Sequence, residues 1–220
     1  MQPWTYISEL PTIYSPEINN SLVIHNYLAL GDSYTIGQGV NEQERFPDQL
    51  TAKFAQKNYL VSEPLILAKT GWTTANLDAA IISENLTETF DIVTLLIGVN
   101  NQFQGRSIAK FQIQFSDLLT KAITFAKNKP ENVIVVSIPD WGVSPYANSL
   151  DRAKISKEID AFNEVKKEET LKMNAKFVDI TPISRLALNN SEFIASDNLH
   201  FSGEMYGLWV EEIIRTFYGD

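Results

Sequence analysis

The stretch "LALGDSYTIGQG", Leu28 to Gly39, decides the fold. It closes the apolar run "VIHNYLAL", which has the character of a strand, with an abrupt Gly-Asp-Ser turn. Ser33 therefore stands where the chain leaves a sheet, and in open α/β sheets that is where ligands bind.

The same unit recurs outward from this point. "LVIHNYLAL" precedes a helical-period segment through Phe46, Leu50 and Phe54, and "PLILA" precedes one through Leu77, Ala80 and Ile81. "DIVTLLIG" precedes Ile108, Phe111, Phe115, Leu118, Leu119 and Ala122, which share one stripe at spacings of three and four. "NVIVVSIP" leads to Ile155, Ile159, Phe162 and Val165, and "AKFVDI" leads through a long loop to Met205, Leu208, Trp209 and Ile213. Five continuous apolar runs separated by helices predict parallel strands buried on both faces and covered by helices. The expected fold is a three-layer α/β/α sandwich around a five-stranded parallel sheet. No repeat, low-complexity tract or linker divides the 220 residues, so one domain over 1–220 is expected. Residues 1–22 carry three prolines and no clear period, and read as an irregular lead-in that packs through Trp4, Tyr6 and Tyr14.

Composition narrows the function classes. A hydrophobic fraction of 44% and a charged fraction of 20% are those of a globular protein with a sizeable core. A net charge of -9 argues against a nucleic-acid partner, which needs clustered Lys and Arg. The one basic cluster, Lys166 and Lys167, is matched by Glu164, Glu168 and Glu169 and reads as a solvated helix face. The absence of cysteine removes disulfides and thiol chemistry. No run approaches the length of a membrane-spanning helix, so a soluble chain is expected, with its compartment left open.

The polar residues that interrupt the pattern fall at equivalent places. Ser33 follows the first run, Gly71 the second in "LAKTGWTT", Asn100 the third in "LLIGVNNQF" and Asp140 the fourth in "VSIPDWG", all expected along one edge of the sheet. After the fifth, "ASDNLHFSG" holds Asp197 and His200 three residues apart, with Ser202 placed to cap the last helix. A serine becomes a nucleophile at neutral pH when a base takes its proton and a third group orients the base. His200 suits the base and Asp197 the orienter. His25, the other histidine, lies in the first run and reads as a core or edge-strand residue.

An oxyanion needs donors aimed where charge develops. The backbone amides of Ser33 and Gly71 and the side-chain amide of Asn100 are the candidates. Tyr34, Trp72, Phe103, Trp141 and Phe201 adjoin these motifs and are read as a wall around the acyl chain or leaving group. Asp32 is expected to hold its own turn around Ser33. With one available histidine, Asp32, Asp140 and Asp197 form no tight ligand cluster, and neither metal nor cofactor is expected.

Gly31-Asp32-Ser33, Gly71, Gly98-Val99-Asn100 and Asp197-Asn198-Leu199-His200 resemble, in order and position, the four blocks of the SGNH (GDSL-type) hydrolase superfamily. The resemblance spans Leu28 to Gly203. It implies a flavodoxin-like sandwich with Ser33 as nucleophile, His200 as base, Asp197 as its orienter, and Ser33, Gly71 and Asn100 as oxyanion donors. The third block departs from its commonest form, Gly-x-Asn-Asp, in carrying Asn101 for the acid. The α/β-hydrolase elbow Gly-x-Ser-x-Gly is absent, since Thr35 occupies the place of its second glycine.

Three function classes follow. The first is a serine hydrolase of carboxylic esters, with O-acetylated sugars, lysophospholipids and acyl thioesters as candidate substrates. The second is a flavodoxin-like cofactor binder, disfavoured because "GQGVNE" lacks a phosphate-cradling glycine signature. The third is a noncatalytic carbohydrate- or lipid-binding protein, disfavoured because every catalytic residue type is present.

Overall fold

The computed structural model describes residues 23–219. The lead-in, with Trp4, Tyr6 and Tyr14, lies outside the described residues. In chain order the principal elements are β1 (Tyr27–Gly31), α1 (Ser33–Ile36), α2 (Phe46–Gln56), β2 (Leu65–Ala68), α3 (Thr74–Glu84), β3 (Ile92–Leu96), α4 (Val99–Phe103) and α5 (Ile108–Phe125). They continue with β4 (Val133–Val136), α6 (Arg152–Lys172), β5 (Lys176–Val178), α7 (Thr181–Ser184) and α8 (Gly203–Tyr218).

The strands form one parallel sheet in the order β2-β1-β3-β4-β5. β1, β3 and β4 are buried along their whole length, which is why their sequences are unbroken apolar runs rather than alternating ones. The two edge strands differ from the expectation of full burial. β2 is partly exposed with Leu65 facing out, and β5 is three residues long, because each has a neighbour on one side only. α2 packs on α8, while α3, α5 and α6 pack in a row, and these two groups make the helical layers. Phe111, Phe115, Leu118, Leu119 and Ala122 of α5 are buried, as their spacing predicts.

The strand order fixes where a ligand can sit. It reverses between β1 and β3, so the connections leaving those two strands diverge to opposite faces and open a crevice at their carboxyl ends. Ser33 follows β1 and Asn100 follows β3. His25 lies at the other end of β1, where it bridges to Val61 and stacks on Tyr59 with ring centroids 4.1 Å apart.

The charged cluster departs in part from its sequence reading. Glu164, Lys167 and Glu168 are exposed, but Lys166 is fully buried and Glu169 is buried as well. The run of Lys and Glu makes one polar helix in sequence, yet Lys166 lies on the inward stripe with Ile155, Ile159 and Phe162.

Candidate active site

The turn that presents Ser33 is tight because of Gly31. A Cβ there would lie 2.0 Å from Thr35 Oγ1 and 2.5 Å from the Leu96 carbonyl, so only glycine lets the strand pass this close. Asp32 caps α1, its Oδ1 accepting from the Tyr34 amide at 3.1 Å. The Asp32 carboxyl is pushed up to about 7, chiefly by burial, against the opposing effects of the Tyr34 amide and the Lys166 charge. Ser33 thus starts a helix directly at the sheet edge, as the Gly-Asp-Ser turn suggests.

The loop before α8 brings in the other two groups. An antiparallel bridge between Ile194 and Phe201 closes it, and the Ala195 amide donates to the His200 carbonyl at 2.8 Å. Within it, Asp197 Oδ1 accepts from the amides of both Leu199 and His200 at 2.9 Å. Its other oxygen, Oδ2, lies 2.6 Å from His200 Nδ1, and His200 Nε2 lies 2.9 Å from Ser33 Oγ. Burial raises the Asp197 carboxyl, but the hydrogen bond from His200 and those from the two amides outweigh it and leave the group below its usual range. Asp197 is therefore an anion that accepts a hydrogen bond from Nδ1–H, which leaves the lone pair of Nε2 facing the serine. An imidazole held in that way can accept the hydroxyl proton during attack. The Tyr34 ring packs 5.2 Å from the imidazole and rests on Phe201 and Trp209, so it backs the histidine.

Ser33, Gly71, Asn100 and His200 line one cavity of about 110 Å³ with Tyr34, Thr70, Val99, Phe103, Trp141 and Leu199. Asn100 Nδ2 donates to the Trp72 carbonyl at 3.0 Å. Only the NH₂ end of the amide can face a carbonyl, so this contact sets the amide's orientation and leaves its second N–H free. Among the described residues, no acceptor takes the amide of Ser33 or of Gly71. The three residues that carry these uncommitted donors all line the cavity with His200.

The five aromatic residues divide. Tyr34, Phe103 and Trp141 line the cavity, whereas Trp72 and Phe201 do not. Trp72 packs partly buried against the core and contributes its carbonyl to Asn100, and Phe201 is fully buried between Tyr34 and Trp209. Adjacency to a motif in sequence says nothing about which way a side chain turns. Trp141 is set firmly, its Nε1 donating to Gln102 Oε1 at 2.8 Å while Phe103 meets its ring edge-on. Asp140 stays outside the cavity: its Oδ1 accepts from the Gly142 amide and its Oδ2 from Arg185 Nε, both at 2.9 Å. Sequence reading passed over Thr70, Val99 and Leu199, although the last two flank Asn100 and His200 as apolar neighbours.

The profile of the GDSL-like Lipase/Acylhydrolase family matches residues 29–208. The chain belongs to this family. Members of the GDSL-like family hydrolyse ester bonds, so the protein is an ester-bond hydrolase with the fold its sequence implies. No curated protein matches the sequence. Solved structures share the GDSL-like architecture at low identity. The lipase/acylhydrolase from Enterococcus faecalis is 22% identical over 89% of this chain and 96% of its own, with a TM-score of 0.68. The lipase Lip_vut3 from a goat rumen metagenome is 21% identical over 87% and 97% of the two chains, with a TM-score of 0.70. A variant of Axe2, an acetyl-xylooligosaccharide esterase from Geobacillus Stearmophilus, is 15% identical over 88% and 94%, with a TM-score of 0.68. Among the described residues, no helix is long and apolar enough to cross a membrane.

Proposed function

We propose that the protein hydrolyses carboxylic esters of short acyl groups through an acyl-enzyme on Ser33. The observation that carries this reading is His200, whose Nε2 is 2.9 Å from Ser33 Oγ and whose Nδ1 is 2.6 Å from Asp197 Oδ2. Ser33 Oγ attacks the ester carbonyl carbon as its proton passes to His200 Nε2. The carbonyl oxygen becomes an oxyanion, which accepts from the Ser33 and Gly71 amides and from the free N–H of Asn100. Collapse expels the alcohol, which leaves with the proton from His200. Water then attacks the acyl-serine, again giving its proton to His200, and the carboxylic acid departs as Ser33 recovers its own. Asp197 holds the imidazole in the required tautomer and stabilises its cation throughout.

Cavity size supports the short acyl chain. About 110 Å³ is well under the ~300–1,000 Å³ of pockets that enclose drug-sized ligands. Val99, Phe103, Trp141 and Leu199 make its walls apolar, as an acyl tail requires.

A panel of acetyl, butanoyl and octanoyl esters, an acetylated sugar, a lysophospholipid and an acyl thioester tests the reading. The highest kcat/KM is expected for acetyl and butanoyl oxygen esters. A preference for octanoyl esters or lysophospholipid would overturn the short-acyl reading, and a preference for the thioester would make the chain a thioesterase.

A further inference from the structure

The residue that the mechanism leaves unexplained is Lys166. It is fully buried in α6, and its Nζ donates to the Ile97 carbonyl at 2.9 Å and to the Val136 carbonyl at 2.7 Å. The Phe115 ring lies beneath it, with Nζ 5.5 Å from the ring centroid. Burying an ammonium group is costly unless its protons are taken up, so a lysine in this place must do something that an apolar residue does not.

Ladder geometry shows what it does. Pairing between β3 and β4 stops at Leu95 and Val135. Beyond that point the Ser137 amide donates to the Val178 carbonyl, toward β5. The C=O and N–H of one trans peptide point in opposite directions, so the Val136 carbonyl faces β3, where the ladder has ended. The Ile97 carbonyl lies past the last paired residue of β3. Lys166 Nζ joins these two carbonyls across the gap.

The segments that follow them reach the site. Immediately after Ile97, Gly98 takes φ +127°, and a Cβ there would lie 2.8 Å from the Phe111 ring. Asn100 is two residues further on. After Val136 the chain runs through Ser137 to Asp140 and delivers Trp141.

We infer that Lys166 is a positioning residue for the oxyanion site, bridging the ends of β3 and β4 so that the Gly98 turn sets Asn100 at the distance the oxyanion needs. Lys166 touches no substrate and acts through the backbone on Asn100. The inference rests on Asn100 being an oxyanion donor.

The test is a double-mutant cycle of Lys166→Met with Asn100→Ala, with kcat and KM measured on the best short-chain ester and folding followed by circular dichroism. Methionine keeps most of the stem and removes the donors. Lys166→Met is expected to lower kcat about tenfold with KM changed less than about twofold, and to cost less than about twofold in the Asn100→Ala background. If Lys166→Met does not fold, the same cycle is run with Lys166→Gln, which keeps an amide donor on a shorter stem and is expected to show the same coupling. Wild-type kcat in a folded Lys166 variant, losses that multiply in the double variant, or failure of both variants to fold would overturn the inference, the last by making Lys166 purely structural. An Asn100→Ala enzyme with unchanged kcat would instead overturn the oxyanion assignment beneath it.

Discussion

Asn101 grips Thr74 at two points: its Oδ1 accepts from the Thr74 amide at 3.0 Å, and its Nδ2 donates to Thr74 Oγ1 at 2.8 Å. Thr74 begins α3, just past Gly71 and Trp72, while Asn101 follows Asn100. The contact therefore ties together the two segments that border the serine, and it stands beside the bond from Asn100 Nδ2 to the Trp72 carbonyl. The acid usual at this place in the family could accept from the same amide. Asn101 fills that role and adds a donor.

Asn100→Ala removes one of the three proposed oxyanion donors, and kcat should fall roughly a hundred- to a thousand-fold with a smaller change in KM. Asn101→Ala should cost less, since the alanine breaks the tie and leaves the donors in place. Steady-state kinetics on a short ester checks both. A weakened KM with unchanged kcat in Asn100→Ala would make that residue a binding group.

Asp197→Asn should lower kcat on the order of 10⁴-fold by favouring the wrong imidazole tautomer. His200→Ala removes the base. The two act as a unit, so the double variant should be scarcely worse than His200→Ala alone. Multiplying losses would mean that Asp197 acts on the loop and not through the imidazole.

Asp32 gives a pH signature in stability. Its carboxyl titrates at 3.8 when unperturbed and at about 7 in the folded protein. Between those values the native state holds a proton that the unfolded chain has lost, so this residue's contribution to stability declines as pH rises through the window. Asp32→Asn has no group to titrate. The Tm difference, variant minus wild type, should therefore grow from pH 4 to pH 7. A constant difference would show that burial does not protonate Asp32.

Much of this site was legible from sequence for a physical reason. Strands buried on both faces must be apolar throughout, so polar residues at their ends stand out, as Ser33 and Asn100 do after β1 and β3. Gly71 follows the partly exposed β2 and the Asp197–His200 pair lies in the loop before α8, and these are legible through their motifs. The side-chain directions were not legible. Trp72 and Phe201 neighbour the motifs as closely as Trp141 does, yet one lends a carbonyl and the other fills the core. Lys166 was hidden because a lysine among glutamates signals solvent, and the two carbonyls that pay for its burial come from strands far away in sequence.

Trp141 and Phe103 should govern acyl length. Replacing either by Ala enlarges the cavity, so kcat/KM for octanoyl relative to acetyl esters should rise several-fold while the serine still reacts with a fluorophosphonate. Equal losses on every ester, with a lower Tm, would assign these rings to packing alone.

The most direct measurement of the central claim is the site of covalent labelling. The protein is treated with a fluorophosphonate, digested and read by mass spectrometry, beside the folded Ser33→Ala variant. One adduct on the peptide containing Ser33, absent from Ser33→Ala together with all ester hydrolysis, is the predicted result. Label on a different serine, or wild-type turnover by Ser33→Ala, would contradict it.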